Sequence, residues 1–184
     1  MRRFWTADYH LGHYSKNGGI IKYCNRPFKD LHHMNARLIT EANMRVKEDD
    51  VSVHVGDFCA RGGASKFKMW RSQLIGNWVF LKGNHDSNNG VKTVGTSMFT
   101  RLSHFHVFVS HIPFYYEDWF EPELRAYVAK FCDFAICGHV HEKWRHQVKG
   151  IPVINVGVDV QNFRPVSDDE VVGQYLKIKG EMGK

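Results

Sequence analysis

Five short apolar runs in this chain each end on side chains that bind metals or protons, and that repetition limits the folds open to it. Arg3 to Ala7 runs into Asp8-Tyr9-His10, and Val51 to Val55 runs into Gly56-Asp57. Val79 to Leu81 leads to Gly83-Asn84-His85-Asp86, and Val107 to Val109 leads to Ser110-His111. Phe134 to Ile136 leads to Gly138-His139-Val140-His141. Short runs of β-branched and aromatic residues predict strands. Two further strands are expected at Ile151 to Val156 and Val171 to Ile178.

Helical patterns lie between them. From Leu31, apolar residues recur at Met34, Leu38 and Ala42, with Asp30 available as an N-cap. Ser65 is expected to cap a helix through Leu74 that ends at Gly76, and Glu121-Pro122-Glu123 to open another towards Phe131. Residues 14–19 and 87–97 read as Gly/Ser/Asn-rich loops. Strands alternating with helices imply a layered α/β fold, and ligands in such sheets bind beyond the strand ends. One core serves a chain of up to roughly 250 residues, so residues 1–184 are expected to form a single domain.

Composition narrows the setting. A formal charge of +6 favours approach to phosphate-bearing partners. Cys24, Cys59, Cys132 and Cys137 form no C-x-x-C pair and are expected to be reduced, mostly buried thiols. No window approaches the ~18 apolar residues that span a bilayer. The N-terminus meets Asp8 and His10 before an apolar leader can form, so a cytoplasmic protein without a membrane partner is expected.

Twelve histidines exceed what packing needs, so their placement matters. In extended chain, residues i and i+2 point to one side, so Asp8-x-His10 and His139-x-His141 each present two ligands together. Asp57, Asn84 and His111 each add one. Seven ligands of mixed O/N type, without a thiolate, exceed the needs of one ion but suit two ions sharing a carboxylate. Gly56, Gly83 and Gly138 are expected to supply positive φ at the turns.

Taken in order, D-x-H, G-D, G-N-H-D, a lone His and G-H-x-H resemble the calcineurin-like metallophosphoesterase superfamily. The likeness spans about Phe4 to Arg164. Ile20 to Phe28, Asn155 to Asp159 and Phe163 to Val166 resemble a compact bacterial and phage branch. The resemblance implies a four-layer α/β sandwich, two central mixed β-sheets flanked by helices. It assigns one metal to Asp8, His10 and His141, the other to Asn84, His111 and His139, with Asp57 as the bridge. Two divalent ions are implied, Mn²⁺ first, with Fe²⁺, Zn²⁺ or Ni²⁺ also accepted by such ligands.

In a site of this kind hydroxide attacks phosphorus directly. His85 is the expected proton donor to the leaving oxygen, with Asp86 orienting it. His13, Arg26, Arg61 and Arg164 are expected to contact the phosphoryl group. His54, alternating with Val53 and Val55, is expected to pack in a strand. Many relatives continue the second motif as G-D-x-x-D-R-G; here Gly56-Asp57-Phe58-Cys59-Ala60-Arg61-Gly62-Gly63 lacks the second acid, which argues against the protein serine/threonine phosphatase branch.

A phosphodiester of nucleotide or nucleic-acid type is the expected substrate. It draws on a pI near 9.2 and on two basic-aromatic runs, Arg61, Lys66, Phe67, Lys68, Trp70, Arg71 and Lys143, Trp144, Arg145, His146, Lys149. Against it, Glu117, Asp118, Glu121 and Glu123 repel a polyanion if they line the same cleft. A phosphomonoesterase is the nearest alternative and a non-catalytic binding scaffold the remote one. Oligomeric state has no sequence signature here.

Overall fold

The structure is a computed structural model and describes residues 1–60, 62–144 and 151–182. The described strands are β1 (Arg3–Thr6), β2 (Val51–Val55), β3 (Asn77–Leu81), β4 (Ser97–Leu102), β5 (Phe105–Ser110), β6 (Phe134–Cys137), β7 (Val153–Asn155) and β8 (Val166–Ser167). The helices are α1 (Gly19–Tyr23), α2 (Leu31–Arg45), α3 (Gly63–Arg71), α4 (Pro122–Phe131) and α5 (Asp168–Met182). The strands form two four-stranded sheets, ordered β3-β2-β1-β8 and β4-β5-β6-β7. Each is mixed: β1, β2 and β3 run parallel with β8 antiparallel, and β5, β6 and β7 run parallel with β4 antiparallel.

Period-two alternation builds the layers. Val53 and Val55 of β2, Val107 and Val109 of β5, and Phe134 and Ile136 of β6 meet between the sheets, where each buried side chain contributes about 1.5–3 kcal/mol. Their neighbours face outward. Phe80 of β3 packs with Met34, Leu38 and Ala42 of α2 and Phe67 of α3, and Phe108, Ala135 and Cys137 pack with Val128 of α4. Helix, sheet, sheet, helix is the four-layer arrangement that the resemblance implies.

Local signals explain most boundaries. Asp30 caps α2, its carboxylate accepting from His33 N at 2.8 Å. Pro122 opens α4 at its first turn. Two expectations need correction, and one strand had no sequence signal. Val171 to Ile178 is part of helix α5, not a strand. Ser167 Oγ accepts from Glu170 N at 3.3 Å while the Glu170 carboxylate accepts from Ser167 N at 2.8 Å, a capping box, and Val171, Tyr175 and Ile178 then fall on one buried face. Helix α3 starts at Gly63 and stops at Arg71, so Ser65 lies inside its first turn. Strand β4 was hidden because its residues, Ser97 to Leu102, alternate only weakly in polarity and lie at the sheet edge.

All four cysteines are buried and unbonded to one another. No helix among the described residues is long and apolar enough to cross a membrane.

Candidate metal centre

The seven expected ligands converge where the parallel strands of both sheets end. Asp8 and His10 follow β1, Asp57 follows β2, Asn84 follows β3, His111 follows β5, and His139 and His141 follow β6. Five of them adopt left-handed backbone: Asp8 (φ 61°), His10 (51°), Asp57 (59°), His139 (72°) and His141 (48°). That conformation costs a residue with a Cβ about 1–2 kcal/mol. It is held by hydrogen bonds between strand ends, Asp8 N to Gly56 O at 3.1 Å, His10 N to Asp57 O at 3.0 Å and Gly138 N to His111 O at 3.1 Å. The fold spends stability to aim these side chains, as it does at functional sites.

Two groups result. The ligand atoms of Asp8, His10 and His141 lie within 4.8 Å of one another, and the His10 and His141 rings stack at 5.3 Å. In the second group, Asn84 Oδ1 lies 2.9 Å from both His111 Nε2 and His139 Nδ1. Asp57 stands between them, its Oδ2 lying 3.7 Å from His10 Nε2 and 3.2 Å from His111 Nε2.

Surrounding groups orient the imidazoles. His111 donates Nδ1–H to Val55 O at 2.8 Å, which turns its Nε2 to Asp57 and Asn84. His141 donates Nδ1–H to Asp159 Oδ2 at 2.6 Å, which frees Nε2 in the same way.

Burial shapes the charges. It raises the Asp8 carboxyl, against the pull of His111 and His141. It acts on Asp57 too, but the hydrogen bond and charge of His111, with the charge of His10, hold that carboxyl well below its ordinary range. Burial lowers His10 far below the usual imidazole value and His139 to about 4. It also opposes charge on His141, which hydrogen bonds with Asp159 and Cys24 nonetheless raise to about 11. His10 Nε2 is buried without a hydrogen-bond partner. A cluster of carboxylates, an amide oxygen and imidazole nitrogens at the end of a cleft, with His10 Nε2 buried and unpartnered, fits divalent cations.

Residues 28–167 match the calcineurin-like phosphoesterase superfamily domain. The chain belongs to this superfamily. Its members' chemistry is metal-dependent phosphoester hydrolysis, and the Asp/His groups just described are where divalent metal can bind this one. An uncharacterized protein of Methanocaldococcus jannaschii is 31% identical over 178 residues, which cover 94% of this chain and 90% of that protein. Among solved structures, a protein of unknown function from Aquifex aeolicus shares the fold with a TM-score of 0.69 at 22% identity, over 94% of this chain and 98% of that one. A looser likeness, TM-score 0.45 at 17% identity over 85% and 84%, is to an archaeal phosphodiesterase.

In this superfamily member the Asp/His cluster opens into a cleft of about 860 Å³. His85 and His13 both line it. The exposed His85 ring lies 5.6 Å from that of His10, and its backbone N–H donates to Asp57 Oδ1 at 2.9 Å. The ring of His13 is likewise 5.6 Å from that of His10.

Other expected contacts are placed elsewhere. All five N–H groups of Arg26 are engaged: Nε and one Nη2–H bind Asp159 at 2.7 and 2.8 Å, the second Nη2–H binds Asp8 O at 2.7 Å, and the Nη1 pair meets Tyr9 O and Met34 Sδ. Its side chain is wholly buried and has no donor left for a phosphate. Arg164 reaches Glu170 of α5 at 3.4 Å and does not line the cleft. Asp86 does not orient His85. Its carboxylate accepts from Gly83 N and Asp57 N, both at 2.8 Å, and so holds the backbone of the central carboxylate. Arg61 lies outside the described residues, as do Arg145, His146 and Lys149. From Lys66 the first basic-aromatic run is ordinary helix: Phe67 is buried, Trp70 packs against the same core, and Arg71 donates to Leu74 O and Gly76 O. Lys143 of the second run does line the cleft, whereas the four acids after His111 do not.

Two features escaped the sequence reading. Asp159 follows β7 as the ligands follow their strands, in Gly157-Val158-Asp159. Asp86 and Gly83 were legible only in part, because Gly83 serves close approach and not backbone freedom. A Cβ there meets Asp57 Oδ1 at 2.1 Å, and neither Gly83 nor Gly138 has positive φ, unlike Gly56 at 87°.

Proposed function

We propose that this chain is a dinuclear metal-dependent phosphodiesterase acting on nucleotide or nucleic-acid linkages. The observation that carries the reading is Asp57 Oδ2, set between His10 Nε2 and His111 Nε2 and flanked by one ligand group on each side. Asp8, His10 and His141 hold one ion in this reading, and Asn84, His111 and His139 the other, with Asp57 shared. When bound, two divalent ions supply an activated water and draw charge from the phosphate oxygens.

The chain's own residues do the rest. Val55 O and Asp159 hold the Nδ1 sides of the rings, so that His111 and His141 turn Nε2 towards the cluster, where it would bind the ions. His85, exposed in the cleft and tethered through its N–H to Asp57, gives a proton to the departing ester oxygen as the P–O bond breaks. His13 stands beside His10 to contact a phosphate oxygen. A cleft of about 860 Å³ has room for a group on each side of phosphorus, as a diester requires.

The test is reconstitution with Mn²⁺, followed by assay on a generic phosphodiester, a generic phosphomonoester, a cyclic nucleotide and single-stranded DNA. Diester turnover above monoester turnover is expected. Turnover of the monoester alone refutes the diester preference, and no turnover with any divalent metal refutes catalysis.

A further inference from the structure

Tyr23 and Tyr116 stand beside different histidines of the ligand cluster, and both rings reach solvent. Tyr23, at the end of α1, is 74% exposed; Tyr116, in the segment after β5, is 40% exposed. Both line the cleft. The Tyr23 ring lies 6.5 Å from the His141 ring at 76°, and the Tyr116 ring lies 6.1 Å from the His139 ring at 86°. His141 and His139 belong to different ligand groups, so one aromatic ring flanks each half of the site. A lone surface tyrosine is ordinary. Two that bracket the reacting position within one cleft give planar faces on both sides of a bound phosphate.

Two cations stand near Tyr23. Lys143 Nζ lies 5.8 Å from the Tyr23 ring centroid, and Lys22, next to Tyr23, also lines the cleft, with Glu142 the one acid beside them among the described residues. Aromatic faces flanked by ammonium groups suit bases with a neighbouring phosphate, and stacking tolerates any base because every base has a π-face.

We infer that Tyr23 and Tyr116 are specificity-determining residues that stack the two bases flanking a scissile phosphodiester, making a short single-stranded oligonucleotide the substrate. The inference rests on the diester reading above. Lys22 and Lys143 place the next phosphate on the Tyr23 side, so the strand continues in that direction.

The experiment uses the full Mn²⁺-loaded chain and dinucleotides, ribo and deoxyribo, carrying both bases or with either base replaced by hydrogen. Removing either base is expected to lower kcat/KM about tenfold. Tyr23→Ala should abolish the preference at one end only, Tyr116→Ala at the other, and the Phe variants should retain it. Equal turnover of the complete and abasic dinucleotides, or alanine variants that keep the wild-type preference, overturns the bracket while leaving the diester reading intact. If the chain hydrolyses monoesters alone, the diester reading fails by itself. The bracket is then read from quenching of 2-aminopurine in a dinucleotide phosphorothioate. Quenching relieved end by end in the two alanine variants supports it, and its absence or persistence in both overturns it.

Discussion

Replacing Asp159 by Asn changes one atom at a position behind His141, and in the proposed two-ion centre the half that His141 serves should respond. Asp159 accepts from His141 Nδ1 at 2.6 Å and from two Arg26 N–H groups at 2.7 and 2.8 Å. An asparagine keeps one oxygen. If that oxygen stays on His141, the amide NH₂ faces Arg26 Nε; if it turns to Arg26, the NH₂ faces the His141 N–H. Either way two donors meet, and the hold on the His141 tautomer weakens. Loss of an outer partner of this kind lowers metal affinity about 10–100-fold, or about 1.4–2.7 kcal/mol. The crowded donors point to about 30-fold. Calorimetric titration of the metal-free protein with Mn²⁺ reads two sites separately. The site formed by Asp8, His10 and His141 should weaken by that factor while the site of Asn84, His111 and His139 stays within about twofold. Equal weakening of both sites, or of neither, refutes the assignment of Asp159 as a positioning residue. Arg26→Lys should hit the same site, since three ammonium donors cannot serve Asp159 and the Asp8 and Tyr9 carbonyls together.

Three other perturbations separate the remaining roles. His85→Ala should lower kcat about 10²–10⁴-fold with metal content unchanged by elemental analysis; loss of metal instead makes His85 a ligand. Gly83→Ala drives a Cβ to 2.1 Å from Asp57 Oδ1 and 2.4 Å from Asp57 N, so both ions should be lost together, and retention of either in a titration contradicts the bridging role. His54 is fully buried among Tyr9, Phe58 and Phe80, with both ring nitrogens unpartnered, and burial lowers its pKa to about 3. Because the folded value lies below the unfolded ~6.5, stability is full above that pH and falls as pH drops towards 3, by up to about 1.4 kcal/mol per unit. His54→Phe should flatten urea-unfolding stability across that window, and an unchanged slope assigns the acid sensitivity elsewhere.

Much of the architecture was legible because strand ends carry it. Alternation in Val51–Val55 and apolar content in Phe134–Cys137 mark strands without reference to anything distant, and Asp30 and Pro122 mark helix starts by local chemistry. The α5 segment misled because its valines and tyrosine look β-prone until the Ser167–Glu170 box is weighed. The family pattern could likewise be read from short motifs, since i and i+2 spacing is all that a paired ligand requires.

What the sequence determined by itself is which residue types stand at the strand ends, and in what order, because spacing and polarity are local. The tertiary structure alone decided what each does next. Arg26 is 133 residues from Asp159 in the chain, yet the fold closes its fork there and removes it from the substrate's reach. Asp86, adjacent to His85, turns instead to the backbone of Asp57, 29 residues away. Tyr23, at the end of α1, and Tyr116, in the segment after β5, come to flank one cleft from the ends of different sheets. Hydrogen-bond partners and cleft walls are set by distance in space, and a sequence carries that information only through the packing it produces.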